Sequence, residues 1–349
     1  MLAAAADGSI IHCMGRRTNL ALLALLGAAF ATGWLGFAFG TAPARWSLAL
    51  HAVGGFLILA LLPWKSIVAR RGLRRRHPRP GRWASLTLAA LVLASLAGGL
   101  LHSTGLLRWW GPYTAMELHV GAALAAVPFA VWHVLARPVR PRPADLSRRA
   151  ALRAGVLLAA AGAGYAASEL AVRASGLPGA ARRFTGSYEI GSLDPDLLPV
   201  SSWLLDAVPA IDQEAWRLRV VTPSGAREWT YAELSRFDDR LRAVLDCTGG
   251  FWSEQDWSGV FLSRLVDEPA AAASVRVVSH TGYDRRFPAG ELPGLLLATR
   301  LGGQPLSPDH GFPARLVAAD RRGFWWVKWV RTIELDWLPA WWQVPFPLQ

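Results

Sequence analysis

The sequence predicts a membrane α-helical bundle, four spans plus a fifth connecting span, followed by a separate mixed α+β domain. Three observations predict it. Hydrophobic residues make up 52% of the 349 residues, and the long apolar runs crowd into the first half. The net charge of +12 is unevenly spread: residues 1–173 hold 19 basic and 4 acidic residues, the rest 18 and 21. After about residue 174 the long runs give way to short ones broken by glycine and proline. The basic excess lies between apolar runs, as membrane topology requires, and forms no folded basic face, so no nucleic-acid partner is expected.

A helix needs about 20 apolar residues to cross about 30 Å of hydrocarbon. Residues 19–40, 46–69, 83–107 and 115–136 meet that length and form the expected bundle behind a cytoplasmic tail of residues 1–18. A fifth run, Ala150 to Val172, is rich in alanine and glycine and reads as a span or a buried soluble helix; its arginine-rich lead-in favours the span. It belongs with a basic loop in the segment 137–173. Arg16 and Arg17, the loop ARRGLRRRHPRPGR and the loop RPVRPRPADLSRRAALR are basic, whereas the intervening loops carry only Arg45 and Arg108. The positive-inside rule then places the N-terminus in the cytoplasm and everything after the fifth span outside a bacterial plasma membrane, in contact with membrane lipid. SRRAALR at Ser147–Arg153 partly matches a twin-arginine export signal, or is a solvated arginine pair.

The second and fourth spans repeat. HAVGGFLILALLPWKSIVAR begins at His51 and HVGAALAAVPFAVWHVLARP at His119, so the histidines coincide, Trp64 meets Trp132 and Lys65 meets His133. Each is preceded by a span with a small-residue patch, Thr32–Trp34 and Ala97–Gly99. Two hairpins related by a pseudo-twofold axis would bring His51 and His119 to equal depth near the outer surface. Facing histidines on a bundle suit the two axial positions of one haem b, with Gly54, Gly55, Gly121, Ala122 and Ala123 making room; a proton path or quinone site is the alternative. His102 is a further candidate ligand or quinone contact. His133 follows His119 by 14 residues, about 21 Å along the helix. This region resembles the di-haem membrane cytochromes b, but Lys65 stands where a second inner ligand belongs, which speaks against a second haem.

In the late domain, residues 184–349, RLRVVT and SVRVVS read as strands and TYAELSRF as a short amphipathic piece. Cys247 follows an apolar run and opens a Thr-Gly-Gly turn, which fits either buried packing or a thiolate ligand for a soft metal. The stretch CTGGFWSEQDWSGVFLSRLV resembles the molybdenum-ligand segment of bacterial sulfite oxidase-like proteins. LLLATRLGGQPLSPDHGFPARLVAADRRGFWWVKWVRTIEL resembles the cofactor-binding end of that domain, and FTGSYEI and LPVSSWLLD its beginning. The resemblance implies that Cys247 gives the one protein thiolate to molybdenum, and that His310, Arg315 and Lys328 hold molybdopterin by its pterin and phosphate. It implies that Tyr283 lies beside the metal. Two departures stand out. Trp325 replaces an arginine of some members, and Gly250 and Phe251 stand near where animal sulfite oxidases place a substrate-binding arginine pair. Arg285 and Arg286 are a possible source of anion affinity or are surface residues.

The expected function is a membrane-bound molybdenum-cofactor oxidoreductase. It would transfer an oxygen atom to or from a small-molecule donor or acceptor outside the membrane, and pass electrons through haem b to quinone or another carrier. The tryptophan-rich LDWLPAWWQVPF, with Trp109 and Trp110, would seat the domain at the membrane interface. The alternative is a quinone-linked b-type cytochrome with a non-catalytic exported domain.

Overall fold

The computed structural model describes residues 2–41, 43–74, 81–202, 206–266 and 272–344. Part of the second basic loop (75–80), the end of LPVSSWLLD (203–205) and the last five residues of the tryptophan-rich C-terminus lie outside the described residues. The chain forms two compact units: Met1–Phe37 with Ala42–Gly186, and Ala38–Thr41 with Ser187–Gln349.

The first unit consists of α1 (Leu2–Ala38), α2 (Ala44–Leu73), α3 (Arg82–Thr104), the short strands β1 (Trp109–Trp110) and β2 (Tyr113–Thr114), α4 (Ala115–Ala136) and α5 (Arg148–Ala174). All five helices are long and apolar enough to cross a membrane. The third span ends at Thr104, three residues early, because Gly105 takes a left-handed conformation (φ 74°) that closes the helix. Thr114 begins α4 through a capping box: its hydroxyl accepts from Glu117 N at 3.0 Å, and the Glu117 carboxylate accepts from Thr114 N at 2.8 Å. Ser147 caps α5. Leu22, Ile58 and Leu61 form an inner cluster joined by Val92, Leu96 and Leu157, so α5 packs with the other helices. Val131, Leu135, Val156 and Leu170 point outward and are more than half exposed, a surface suited to lipid. Arg16 and Arg17 both pair with Asp145, which ties the N-terminal part of α1 to the loop before α5, two segments expected on one side of the membrane.

The second unit is mostly β among the described residues. In chain order it contains β3 (Tyr188–Glu189), β4 (Arg217–Thr222), β5 (Gly225–Thr230), the four-residue α6 (Tyr231–Leu234), β6 (Asp239–Asp246), β7 (Phe251–Phe261), β8 (Ser274–Ser279), β9 (Asp284–Pro288), β10 (Leu295–Leu301), β11 (Gln304–Pro305), β12 (Arg315–Ala318) and β13 (Val330–Asp336). RLRVVT and SVRVVS are β4 and β8 to the residue. Of TYAELSRF only Tyr231–Leu234 are α-helical, started by a Thr230–Glu233 capping box.

One sheet runs β11-β10-β7-β3, with β12 paired to β10 and β6 to β7; the other runs β5-β4-β13-β8-β9. The pairings are antiparallel except β13 with β4 and β3 with β7. Alternate residues of each strand turn inward: Leu218 and Val220 of β4 are buried between exposed arginines, and Val275 and Val277 are fully buried. They join Trp257, Leu296, Leu316 and Ile333 in one continuous core. Gly259 lets β7 approach β10, since a Cβ there would come 2.0 Å from Leu297 O.

Candidate functional site

The first unit brings His51 and His119 together. Their ring centroids lie 5.6 Å apart with planes at 86°. His51 Nδ1 donates to Ala29 O at 2.8 Å, and His119 Nδ1 donates to Ser95 O at 2.6 Å. A carbonyl only accepts, so each Nδ1 carries the proton and each Nε2 keeps its lone pair, the tautomer a metal-binding histidine needs. The supports obey the repeat: 66 residues separate Ala29 from Ser95, and 68 separate His51 from His119. The glycines against the rings are Gly33 and Gly99, also 66 apart; a Cβ would come 2.9 Å from His51 Cε1 and 3.1 Å from His119 Nδ1. They belong to the small-residue patches of α1 and α3. Of the glycines expected to make room, Gly54 and Gly55 face Ala29 and Leu96, and nothing lies within 4 Å of a Cβ at Gly121. His102 is buried and its Nε2 donates to Gly186 O at 2.7 Å, so that nitrogen is not free for a metal. Two neighbouring imidazoles, each bonded through Nδ1 to a carbonyl and bordered by a glycine, are a donor pair of the kind that holds a haem iron.

In the second unit Cys247 sits directly after β6, at the turn into β7. Its N donates to Phe251 O at 2.8 Å, and Gly250 closes the turn at φ 96°, a conformation that favours glycine. Three further groups secure it. Arg322 Nη2 donates to Cys247 O at 3.0 Å, Ser187 Oγ donates to Asp246 Oδ1 at 2.6 Å, and Arg322 pairs with Asp246. The Sγ atom accepts from Gly249 N at 3.3 Å and lies 3.3 Å from Ser201 Oγ. Burial pushes the thiol pKa up, while Ser201, Gly249 and the Arg322 charge pull it back.

Arg315 and Lys328 add positive charge around Cys247. Arg315 is 4% exposed, lies over the rings of Trp257 and Trp326, and donates to His310 O at 3.2 Å. Its Nε has no hydrogen-bond partner among the described residues. Burial holds its pKa down to about 10, against the raising effect of Cys247. Lys328 Nζ donates to Ser201 O at 2.7 Å and Asp309 O at 2.6 Å; burial, with Arg315 nearby, lowers its pKa to about 7. His310 Nε2 donates to Leu198 O at 3.1 Å and its Nδ1 lies 2.8 Å from Ser307 Oγ, with its pKa lowered by burial and then Arg315. A buried thiol between cations, one with an orphaned Nε, fits an anionic cofactor that brings a soft metal.

Tyr283 is buried at the turn into β9, and its hydroxyl donates to Phe324 O; burial drives its pKa to about 12. Phe324 follows Gly323, where a Cβ would come 3.2 Å from Cys247 Cα, so Tyr283 reaches the backbone beside the thiol. Arg285 and Arg286 are not surface residues: they are 2% and 8% exposed. Arg286 pairs with Asp336, and Arg285 lies among the rings of Tyr283, Phe324 and Trp325. β9 is the edge strand of its sheet, and the C-terminal segment covers it, Gln343 accepting from Arg285 Nη1 and Arg286 N. Sequence reasoning missed Ser201, Ser187 and Arg322, since a serine and an arginine that grip a distant backbone leave no local pattern.

Residues 205–339 match the family model of the oxidoreductase molybdopterin binding domain. Mitochondrial sulfite oxidase of Macaca fascicularis is 26% identical over 169 residues, 37% of this chain and 30% of that protein. An NADPH nitrate reductase of Mycosarcoma maydis is 50% identical over 43 residues, 12% of this chain and 4% of that one. The chain spans less than a third of the length of these curated relatives. Among solved structures, the sulfane dehydrogenase SoxCD from Paracoccus pantotrophus aligns with a TM-score of 0.34 and 23% identity over 37% of this chain and 40% of that one.

Proposed function

We propose that this chain, whose second unit is a molybdopterin-binding oxidoreductase domain of the sulfite oxidase type, is a two-centre membrane enzyme. It transfers an oxygen atom to or from a small extracytoplasmic substrate and exchanges electrons with quinone through a b-type haem. The observation that carries the coupling is the His51–His119 pair, 5.6 Å apart with both Nδ1 protons bound to carbonyls.

The chain's own residues do the following. Cys247 presents a sulfur already partnered by Gly249 N and Ser201. Arg315 and Lys328 place positive charge where the cofactor phosphate would bind, and His310 is fixed beside them by Leu198 and Ser307. When bound, molybdopterin supplies a metal that cycles between oxidation states, and haem supplies a one-electron carrier. Tyr283 keeps its proton on Phe324 O at neutral pH. Burial of Cys247 excludes water from the thiol. Five apolar helices with the charge distribution described above support a plasma-membrane location with the second unit outside, and the arginine pair before α5 suggests twin-arginine export.

The test is metal analysis with a reduced-minus-oxidised spectrum on the detergent-purified full chain, produced in a host that makes the cofactor. We expect near-stoichiometric molybdenum with a b-type spectrum, turnover lost in Cys247→Ala, and the spectrum lost in His119→Ala while molybdenum stays. Molybdenum without haem would remove the electron path. Haem without molybdenum would remove the enzyme.

A further inference from the structure

The repeat places a second polar cluster in the bundle, 14 residues along α2 and α4 from the histidine pair, about 21 Å away. Lys65 Nζ donates to Asn19 Oδ1 at 2.9 Å, and His133 Nδ1 lies 2.9 Å from Ser85 Oγ. Asn19 and Ser85 are 66 residues apart and Lys65 and His133 are 68 apart, the offsets that relate the histidine supports. One member comes from each of four helices. Lys65 and His133 are close enough for their charges to interact, and the other charge acting on both is Arg137. Among the described residues no carboxylate pairs with Lys65.

Ionisable side chains inside a bundle are costly and usually functional. Three properties identify what this cluster binds. Its charge is cationic and unneutralised, which calls for an electron-rich oxygen. It lacks the glycines that border His51 and His119: among the described residues no glycine abuts Lys65 or His133, Gly15 and Gly81 facing Val68 and Trp132 and Gly72 facing open space, so no slot for a macrocycle is built there. Lys65 turns to a neighbouring helix and not along its own stem toward the head groups, which disfavours a lipid phosphate. Trp64 and Trp132 beside it are partly exposed on the outer face, at 41% and 38%, so an apolar ring could enter from the bilayer.

We propose that Lys65 and His133, positioned by Asn19 and Ser85, form a binding site for a quinone head group. Lys65 donates to a ring oxygen, and His133 offers Nε2 to the same head group. The inference rests on the reading of the bundle as a quinone-linked electron carrier and names where the quinone docks.

The experiment is equilibrium binding of decylubiquinone to the detergent-purified full chain, corrected for micelle partition, with the b-type spectrum and bound phospholipid read on each sample. Lys65→Met is expected to weaken binding about tenfold or more, the scale of one charge-assisted hydrogen bond, and His133→Gln by a smaller factor. Both variants keep the haem spectrum. Unchanged binding in both variants, or no saturable binding in the wild type, overturns the site. So does loss of part of the haem in His133→Gln, which would make His133 a second haem ligand, or loss of bound phospholipid in place of quinone. Lys65→Arg checks folding, since it preserves the charge and the Asn19 bond and is expected to retain most of the affinity. Binding needs no haem, so a wild type that binds quinone but lacks a b-type spectrum refutes the haem reading and leaves this one standing.

Discussion

In the bundle, each of four polar side chains rests on a residue of a neighbouring helix: His51 on Ala29, His119 on Ser95, Lys65 on Asn19 and His133 on Ser85. In the β domain, Cys247 is held by Ser187, Ser201, Gly249 and Arg322, which come from four separate segments. A helix fixes depth and azimuth by count along one axis, so a duplicated hairpin duplicates its contacts. A turn between strands fixes neither, and beyond Gly249 in its own turn the thiol is located by groups that converge on it from distant parts of the chain. The bundle should therefore tolerate loss of any one support better than the domain tolerates loss of Arg322.

The largest effect tests the domain at its centre. Cys247→Ala should lower turnover by more than about 100-fold, because loss of outer-shell partners alone costs metal sites about 10- to 100-fold. Steady-state assay with an artificial electron carrier checks it, and turnover within tenfold of wild type would show that the thiol is packing. Next, Arg322→Leu leaves Asp246 buried beside Ser187 with its cation gone, and should cost about 3–5 kcal/mol in a denaturant titration of the domain. In the bundle, Gly99→Leu should abolish most of the b-type absorbance while the protein remains monodisperse, and Gly121→Leu should not. Equal losses in the two variants would deny that Gly99 borders the site.

A smaller effect is pH-dependent. Lys328 has a folded pKa of about 7, below its ordinary value near 10.5, so between these values the unfolded chain binds the extra proton. The cofactor-free protein should therefore gain stability as pH rises from about 7 towards 10, with no contribution below 7 where both states are protonated. Thermal midpoints across that range should show a slope that Lys328→Met removes. The smallest effect is at Ser201. Ser201→Ala removes a partner that favours the thiolate, and should slow iodoacetamide alkylation of the cofactor-free protein about three- to tenfold at a fixed pH, an increment equal to one hydrogen bond.

The two regions also differ in how far their sites can be read from residues in order. Helix existence, helix order and the His51–His119 pairing follow from apolar length and a repeat, because a helix satisfies the backbone groups of a long apolar run within itself. Which glycines border the rings did not follow: Gly33 and Gly99 lie on the partner helices, so spacing along α2 and α4 pointed to Gly54 and Gly121 instead. In the domain, β4 and β8 were legible from alternation. The cofactor roles expected of Arg315 and Lys328 came only from resemblance, and for Cys247 resemblance chose between packing and a metal ligand, since alternation says which face a residue takes and nothing about which loops meet.

The sequence by itself determined five apolar helices, a duplicated hairpin and two strands of the late domain. These follow from local composition and period, which act within a few residues. Only the tertiary structure decided that His102 Nε2 bonds to Gly186 O, that Arg285 and Arg286 are buried, and that Ser201 and Arg322 reach Cys247. Each of these depends on segments tens of residues apart being packed together, and it is burial in that packing, not residue type, that sets the partners and protonation of the groups involved.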